Sequence, residues 1–100
     1  METHPMKLIS IVCEALAREA LERLLAEVGA RGFTVCRVEG QGATGARGGE
    51  MEEFSNVRFE VIVPPDVASN LLERVGKEFL PRYAMVTYET DIRVLRPRKF

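Results

Sequence analysis

The sequence predicts an α+β fold in which a four-stranded antiparallel sheet carries two helices on one of its faces. Four segments are rich in apolar and β-branched residues, which is typical of buried or half-buried strands. Two others repeat apolar residues three or four positions apart, which is the period of an amphipathic helix. The segments follow one another as strand, helix, strand, strand, helix, strand, and 100 residues is the size of one domain.

The first half of the chain contains a strand, a helix and a second strand. Met6–Cys13 is a compact run rich in β-branched residues and predicts a buried strand. The apolar residues of Glu14–Val28 fall on one helical face, and Gly29 supplies the end of that helix. The predicted buried stripe consists of Leu16, Ala20, Leu21, Leu24 and Val28. Phe33–Val38 predicts the second strand.

The second half repeats this order. Asn56–Val63 predicts a strand whose side chains alternate between two faces. One face is expected to carry Val57, Phe59 and Val61, and the other Arg58, Glu60 and Ile62. The run Pro64-Pro65-Asp66 breaks this strand and opens a helix, which ends at Pro81. The buried stripe of the helix is expected to consist of Val67, Leu71, Leu72, Val75 and Phe79. Met85–Leu95 is the last strand, and a basic tail of residues 96–100 follows.

A glycine-rich segment joins the second and third strands. Five of the ten residues from Gly40 to Gly49 are glycine, which predicts neither helix nor strand because glycine loses the most backbone entropy on ordering. We expect a mobile loop from about residue 42 to residue 54. Such a loop is either a simple connector or an anion site, in which backbone N–H groups converge and Gln41 and Arg47 add side-chain donors.

This order of elements predicts a ferredoxin-like βαββαβ domain over residues 1–100. Both helices cover the same face of the sheet, so the other face needs a partner, and further copies of the same chain are the simplest supply. The third strand is expected between the first and the second. Cys13 and Cys36 then lie about twice the ~4.8 Å strand spacing apart, which is too far for a disulfide.

Composition and motifs exclude several classes of function. The net charge is −1 and the pI is ≈ 5.9, so the chain lacks the basic field of a nucleic-acid-binding protein. No apolar stretch approaches the ~18 residues of a membrane span and no signal peptide is recognisable, so we expect a cytoplasmic protein without membrane insertion. The two cysteines lack metal-ligand spacing and are expected to be reduced and structural. No catalytic motif is present, so we expect no metal and no enzymatic activity.

The C-terminal end concentrates positive charge. Four cations lie within seven residues, at Arg93, Arg96, Arg98 and Lys99. If strand geometry persists, Arg96 and Arg98 project to the same side, and such a pair is unfavourable unless an anion, a carboxylate or solvent separates the charges. The residues alone leave two interpretations open, an anion site and a solvated tail.

Three segments resemble PII signalling proteins. Residues 27–42 are similar to the part of that family that leads into its T-loop, and residues 58–64 are similar to the strand that follows the loop. Residues 93–98 resemble the arginine-rich end of its last strand. Ser55–Val61 and Val94–Phe100 resemble the PII-like branch that is associated with bicarbonate transport and carboxysomes.

The resemblance implies a homotrimer that binds an adenine nucleotide as an effector in three clefts between subunits. It implies regulation of inorganic-carbon uptake or carboxysome function through the T-loop, with a bicarbonate transporter or a carboxysome-related protein as the partner. ADP or AMP is expected to be favoured, because Leu80–Met85 replaces the lysine-rich B-loop that grips a triphosphate. ATP and cyclic AMP are the other candidate effectors. The loop has no tyrosine for uridylylation, and Thr44 stands where nitrogen-sensing members carry glutamine.

The resemblance also implies site residues. Nucleotide binding is expected at Thr34, Gly40, Gln41, Gly42, Arg47, Ile62, Ala84, Met85, Glu89, Arg96 and Arg98. Thr34 and the backbone of Ile62 would face the adenine, the glycine turn would lie beside the phosphates, and the arginines would neutralise them. Ala84, Met85 and Glu89 would line the cleft from the B-loop side. Bicarbonate or another anion is expected at Gly42, Ala43 and Arg47.

Two other functions occur on the same fold. A single-stranded RNA-binding module would need exposed aromatic side chains on the central strands, and only Phe59 is available there. A small enzyme of the acylphosphatase type would need an arginine cradle after the first strand, where the sequence offers only Arg18. Both remain alternatives to a nucleotide-binding regulator.

Overall fold

The computed structural model describes residues 1–39, 41–42, 45–46, 56–97 and 100. Its strands are β1 (His4–Glu14), β2 (Thr34–Val38), β3 (Gln41–Gly42), β4 (Gly45–Ala46), β5 (Asn56–Val63) and β6 (Met85–Val94). Its helices are α1 (Arg18–Val28), which follows a 3-10 turn at Ala15–Ala17, and α2 (Pro65–Glu78). The predicted α+β class and order of the main elements are confirmed.

The main sheet has the strand order β2–β5–β1–β6, and every neighbouring pair is antiparallel. In the centre, Ile9 pairs with Val61 of β5 and with Glu89 of β6. The third main strand, β5, thus lies between β1 and β2, as the sequence predicts. Cys13 and Cys36 are both free.

Both helices pack on one face of this sheet. The strands contribute Ile9, Ile11, Cys13, Val57, Phe59, Val61 and Val63 to a single core cluster. The helices contribute Leu21, Leu24, Leu25, Val28, Ala68, Leu71 and Val75, followed by Phe79 just beyond α2. The alternation predicted for β5 is confirmed, since Val57, Phe59 and Val61 are buried and Arg58, Glu60 and Ile62 are half-buried.

Local sequence sets the helix ends. Gly29 ends α1 because it adopts φ 89°, which is strained for residues with a Cβ, and its N–H donates back to the carbonyl of Ala26 at 3.2 Å. Pro65 occupies the first turn of α2, where a missing N–H costs nothing. Arg74 of α2 then ties the two helices together, since it donates to Glu78 on its own helix and to Glu27 on α1.

Two local predictions are wrong, and the exposure of Cys36 was not predicted. Leu16 is 56% exposed, because the 3-10 turn at Ala15–Ala17 has three residues per turn and puts it out of phase with α1. Cys36 is exposed, because β2 is an edge strand. The glycine-rich segment does hold strand, since Gln41 pairs with Ala46 and Gly42 with Gly45. Only two residues separate Gly42 from Gly45 in the sequence, so bringing these partners together costs little loop-closure entropy.

We expect Phe59→Ala to lower the free energy of unfolding by about 3–5 kcal/mol, because the ring is fully buried and its loss leaves a cavity. Phe33→Ala is the matched control: its ring packs 5.4 Å from that of Phe59 but is 41% exposed, so a loss of about 1 kcal/mol is expected. Urea denaturation at one protein concentration measures both. Equal losses for the two variants would contradict the assignment of Phe59 to the core.

We expect the buried thiol of Cys13 to make stability depend on alkaline pH. Burial raises the pKa of Cys13 from 9.0 to about 11, so the unfolded chain loses this proton first. The stabilisation is therefore complete below pH 9 and is lost as the pH rises to about 11. Urea denaturation of the wild type and of Cys13→Ala between pH 7 and 11 isolates the effect, because other titrating groups are common to both. Parallel stability curves would show that Cys13 does not titrate in this way.

Candidate functional site

The sheet face that points away from the helices, which we call the open face, carries a mixture of apolar and polar side chains. Directly paired residues of neighbouring strands share a face, so the register assigns its members. They are Thr34, Cys36 and Val38 on β2; Asn56, Arg58, Glu60 and Ile62 on β5; Leu8, Ser10, Val12 and Glu14 on β1; and Val86, Tyr88, Thr90 and Ile92 on β6.

The two residues expected to face adenine meet on this open face. Thr34 begins β2 and pairs with Glu60, and Ile62 follows two residues later on the same side of β5. Thr34 is exposed, whereas Glu60 and Ile62 are half-buried. These positions together form a partly polar surface at the β2 edge of the sheet. We call Thr34 and Ile62 the β2 half-site.

A second group of predicted residues lies at the end of the sheet where β1 ends, β5 begins and β6 begins. Met85 pairs with Cys13 there, and the N–H of Ala84 donates to Oε1 of Glu14 at 3.3 Å. Gln41 and Gly42 form β3, which comes shortly after β2 ends at this same end of the sheet. We call Gln41, Gly42, Ala84 and Met85 the loop half-site.

Glu14 also lies at this end of the sheet, and the sequence analysis did not assign it to a site. Its carboxylate fixes the start of β6 by accepting the hydrogen bond from Ala84. The only signal in the sequence is a carboxylate directly after a predicted buried strand, a pattern that also predicts the start of a helix.

The two half-sites are well separated within one chain. Ile62 pairs with Leu8, and Met85 pairs with Cys13, five residues farther along β1. At about 3.3 Å per residue, these rows lie about 16 Å apart. β2 and β6 are also opposite edges of the sheet. A single chain therefore does not bring the β2 half-site and the loop half-site onto one small ligand.

Arg96 lies still farther from the loop half-site. β6 is ten residues long, so its ends are about 30 Å apart, and Arg96 follows the far end. The strand stops at Val94, so strand alternation does not extend to Arg96, which is exposed. Its expected alignment with Arg98 is not described, because Arg98 lies outside the described residues. The N–H of Phe100 donates to the carbonyl of Pro97 at 3.2 Å.

Glu89 lies apart from the residues with which it was grouped. It pairs with Ile9 on the helix side of the sheet, four positions along β6 from Met85. Its carboxylate and that of Asp91 raise the pKa of Lys7, and the hydrogen bond from Lys7 to Asp91 is the largest cause. Glu89 thus lies beside Lys7 and Asp91, and its assignment to the nucleotide site stays a prediction.

Several predicted residues lie outside the described part of the chain. These are Gly40, Ala43, Arg47 and Arg98, together with most of the predicted mobile loop 42–54. Their assignments to nucleotide or bicarbonate stay predictions.

The two described concavities do not contain the predicted site residues. One of ≈ 450 Å³ lies among Pro5, Met6, Lys7, Pro65, Asp91, Ile92 and Arg93. The other, of ≈ 190 Å³, lies between the helices and is lined by residues such as Arg23, Arg74 and Tyr83. Neither hollow coincides with the β2 half-site or the loop half-site.

The structure weakens both alternative functions. Phe59, the aromatic residue that an RNA-binding sheet would need on its surface, is buried against the helices. Arg18, the residue nearest to an arginine cradle, begins α1 and pairs with Glu22 at 2.9 Å. Within the described ranges, no group of three or more His, Cys, Asp or Glu side chains could hold a metal ion, and no helix is long and apolar enough to cross a membrane.

Comparison with known proteins identifies the family. The family model of the nitrogen regulatory protein P-II matches residues 6–99, which is nearly the whole chain. The chain belongs to the P-II family. The predicted resemblance to PII signalling proteins is thereby confirmed.

Solved structures agree with this assignment. A PII-like signalling protein from Thermus thermophilus is 35% identical in sequence and superimposes with a TM-score of 0.86. The match covers 100% of this chain and 99% of the Thermus chain. CPII from Thiomonas intermedia, bound to ADP and bicarbonate, is 28% identical with a TM-score of 0.89, over 99% of this chain and 97% of CPII. CPII bound to ADP, AMP and bicarbonate gives the same identity and TM-score, over 99% and 96% of the two chains.

Proposed function

We propose that this P-II family chain assembles into a homotrimer that binds an adenine nucleotide in clefts between subunits and acts as a regulator without catalysis. The observation that carries the proposal is the likeness, over 99% of the chain, to CPII bound to ADP and bicarbonate. ADP and AMP are the proposed effectors, since both occur with CPII in a second structure. ATP and cyclic AMP are weaker candidates.

The separation of the two half-sites supports a site between subunits. Thr34 and Ile62 lie on the open face toward one end of the sheet, and Gln41, Gly42, Ala84 and Met85 lie at the other end. In a cyclic trimer the interface is heterologous, so a patch of one chain meets a different patch of the next chain. The β2 half-site of one subunit, with Arg96 and Arg98, would then face the loop half-site of its neighbour. Three equivalent clefts result.

Signalling is proposed to act through the T-loop, residues 42–54. Bicarbonate would bind at Gly42, Ala43 and Arg47, where the glycine backbone and a guanidinium offer hydrogen-bond donors to a small anion. The partner would be a bicarbonate transporter or a carboxysome-related protein, and the setting cytoplasmic. Hydrogen exchange of the loop with ADP, with bicarbonate and with both tests whether either ligand orders it.

We expect nucleotide binding to be restored when two variants that each lose it are combined. Thr34→Arg places a bulky cation in the β2 half-site, and Ala84→Asp places a negative charge beside the phosphates in the loop half-site. If the site lies between subunits, trimers refolded from an equal mixture regain about one quarter of the wild-type sites, since one cleft in four receives both intact halves at random. Calorimetry with ADP measures the number of sites, and light scattering checks a mass near three times the 11.2 kDa of the chain.

Each variant refolded alone is the control, and it should bind no ADP while retaining the trimer mass. A mixture that also binds none would place both halves of the site in one chain, or the nucleotide elsewhere. A wild-type protein that is monomeric at micromolar concentration would rule out the intersubunit site altogether.

We expect Arg98→Ala to weaken ADP binding about ten- to a hundredfold, because a charge-assisted hydrogen bond contributes about 1.5–3 kcal/mol. Arg98→Lys should recover only part of this, since an ammonium cannot reproduce the forked contact of a guanidinium. Adenosine lacks phosphate and should bind the wild type and Arg98→Ala equally. Arg93→Ala, which removes a nearby exposed arginine, is the matched control and should bind ADP as the wild type does. Equal ADP affinity for all four proteins would show that the basic tail is solvated and does not bind the phosphates.

A further inference from the structure

The open face contains a short polar row on β5 whose groups lack partners. Asn56, Arg58 and Glu60 lie on that face at alternate positions of the strand. Oδ1 of Asn56 and Nε of Arg58 are buried and have no hydrogen-bond partner among the described residues. Side chains two residues apart on a strand face the same way, so Arg58 and Glu60 could pair within one chain. Among the described residues, however, no ion pair joins them.

An unpaired donor and an unpaired acceptor on a half-buried surface are costly, because each has lost water without gaining a partner. Here the groups alternate along β5 as acceptor, donor and acceptor: the Asn56 carbonyl oxygen, the Arg58 guanidinium and the Glu60 carboxylate. The same row on a second copy of the chain offers the groups that the first one lacks.

The flanks of this row are apolar, which favours a protein surface rather than a small ion as the occupant. Val12 and Val86 continue the row of Arg58 across β1 and β6, and Leu8 and Ile62 lie on the other side of Glu60. Val86 is exposed, and so is the neighbouring Tyr88. A partner that covered these side chains would remove water from the polar row at the same time.

We propose that the Arg58 guanidinium of one subunit pairs with the Glu60 carboxylate of the next, and that this contact selects the partner and the register of the assembly. The inference rests on the proposed homotrimer. Its occupant is a second copy of this chain, which supplies the opposite charge at the matching position. Rotation about a threefold axis brings unlike residues of neighbouring copies together, so that Arg58 meets Glu60 and need not meet another Arg58.

Charge exchange tests the pairing. Arg58→Glu and Glu60→Arg each place like charges across every interface, and each should raise the subunit dissociation constant at least about a hundredfold. The double variant Arg58→Glu/Glu60→Arg restores opposite charges and should dissociate within about tenfold of the wild type. Analytical ultracentrifugation over a range of protein concentrations measures all four proteins, and far-UV circular dichroism checks that each is folded.

Arg23→Glu is the matched control, since it reverses the same charge on α1, in the helix layer rather than on the open face, and should leave dissociation unchanged. A second double-mutant cycle, with neutral substitutions, tests the pairing if the charge reversals prevent folding. Arg58→Met leaves Glu60 unpaired and should weaken assembly, whereas Arg58→Met/Glu60→Met removes both charges and should assemble more tightly than Arg58→Met.

The outcomes separate this inference from the proposed function. Single reversals that leave dissociation unchanged, or a double variant as weak as the singles, would overturn the pairing. If the wild type is then still trimeric and binds ADP, the nucleotide proposal stands without it. A monomeric wild type would overturn both.

Discussion

The central position of β1 decides which side chains of this protein meet. It pairs with β5 on one side and with β6 on the other, both in antiparallel register. Alternate residues therefore point to the helix layer or away from it across the whole sheet. Ile9 and Ile11 join the core on one side, while Leu8, Ser10 and Val12 lie on the open face. A shift of one residue would exchange these two sets, so the core and the open face are specified together.

Much of the fold could be predicted from the sequence, because periodicity follows burial. The four main strands, both helices and the position of β5 follow from runs such as Met6–Cys13 and from the two prolines at the start of α2. Leu16 was assigned to the wrong layer because an apolar residue before a helix gives no sign of a 3-10 turn. The exposure of Cys36 could not be predicted, because composition does not distinguish an edge strand from a central one.

The candidate site was less predictable, because its residues come together only through the arrangement of strands. The resemblance supplied Thr34 and Ile62, whose shared face is visible from the register. It also grouped Glu89 with Ala84, which the register separates. No periodic pattern marks Arg58 as unpaired, since that depends on where Glu60 and the neighbouring side chains point. Hydrogen-bond satisfaction is a property of the folded surface.

The open face carries both apolar rows, which would favour association, and charged side chains, which would fix its register. A surface that is entirely apolar would meet only the first of these requirements. Apolar rows such as Val12 and Val86 would favour association but would tolerate many registers, because burial of apolar area is not directional. A buried charge is strongly unfavourable unless an opposite charge lies beside it. The row of Arg58 and Glu60 would therefore destabilise every register except the one that pairs these two side chains. Clefts between subunits need that accuracy. The β2 half-site of one chain and the loop half-site of the next can share a nucleotide only if neighbouring sheets meet in a fixed register.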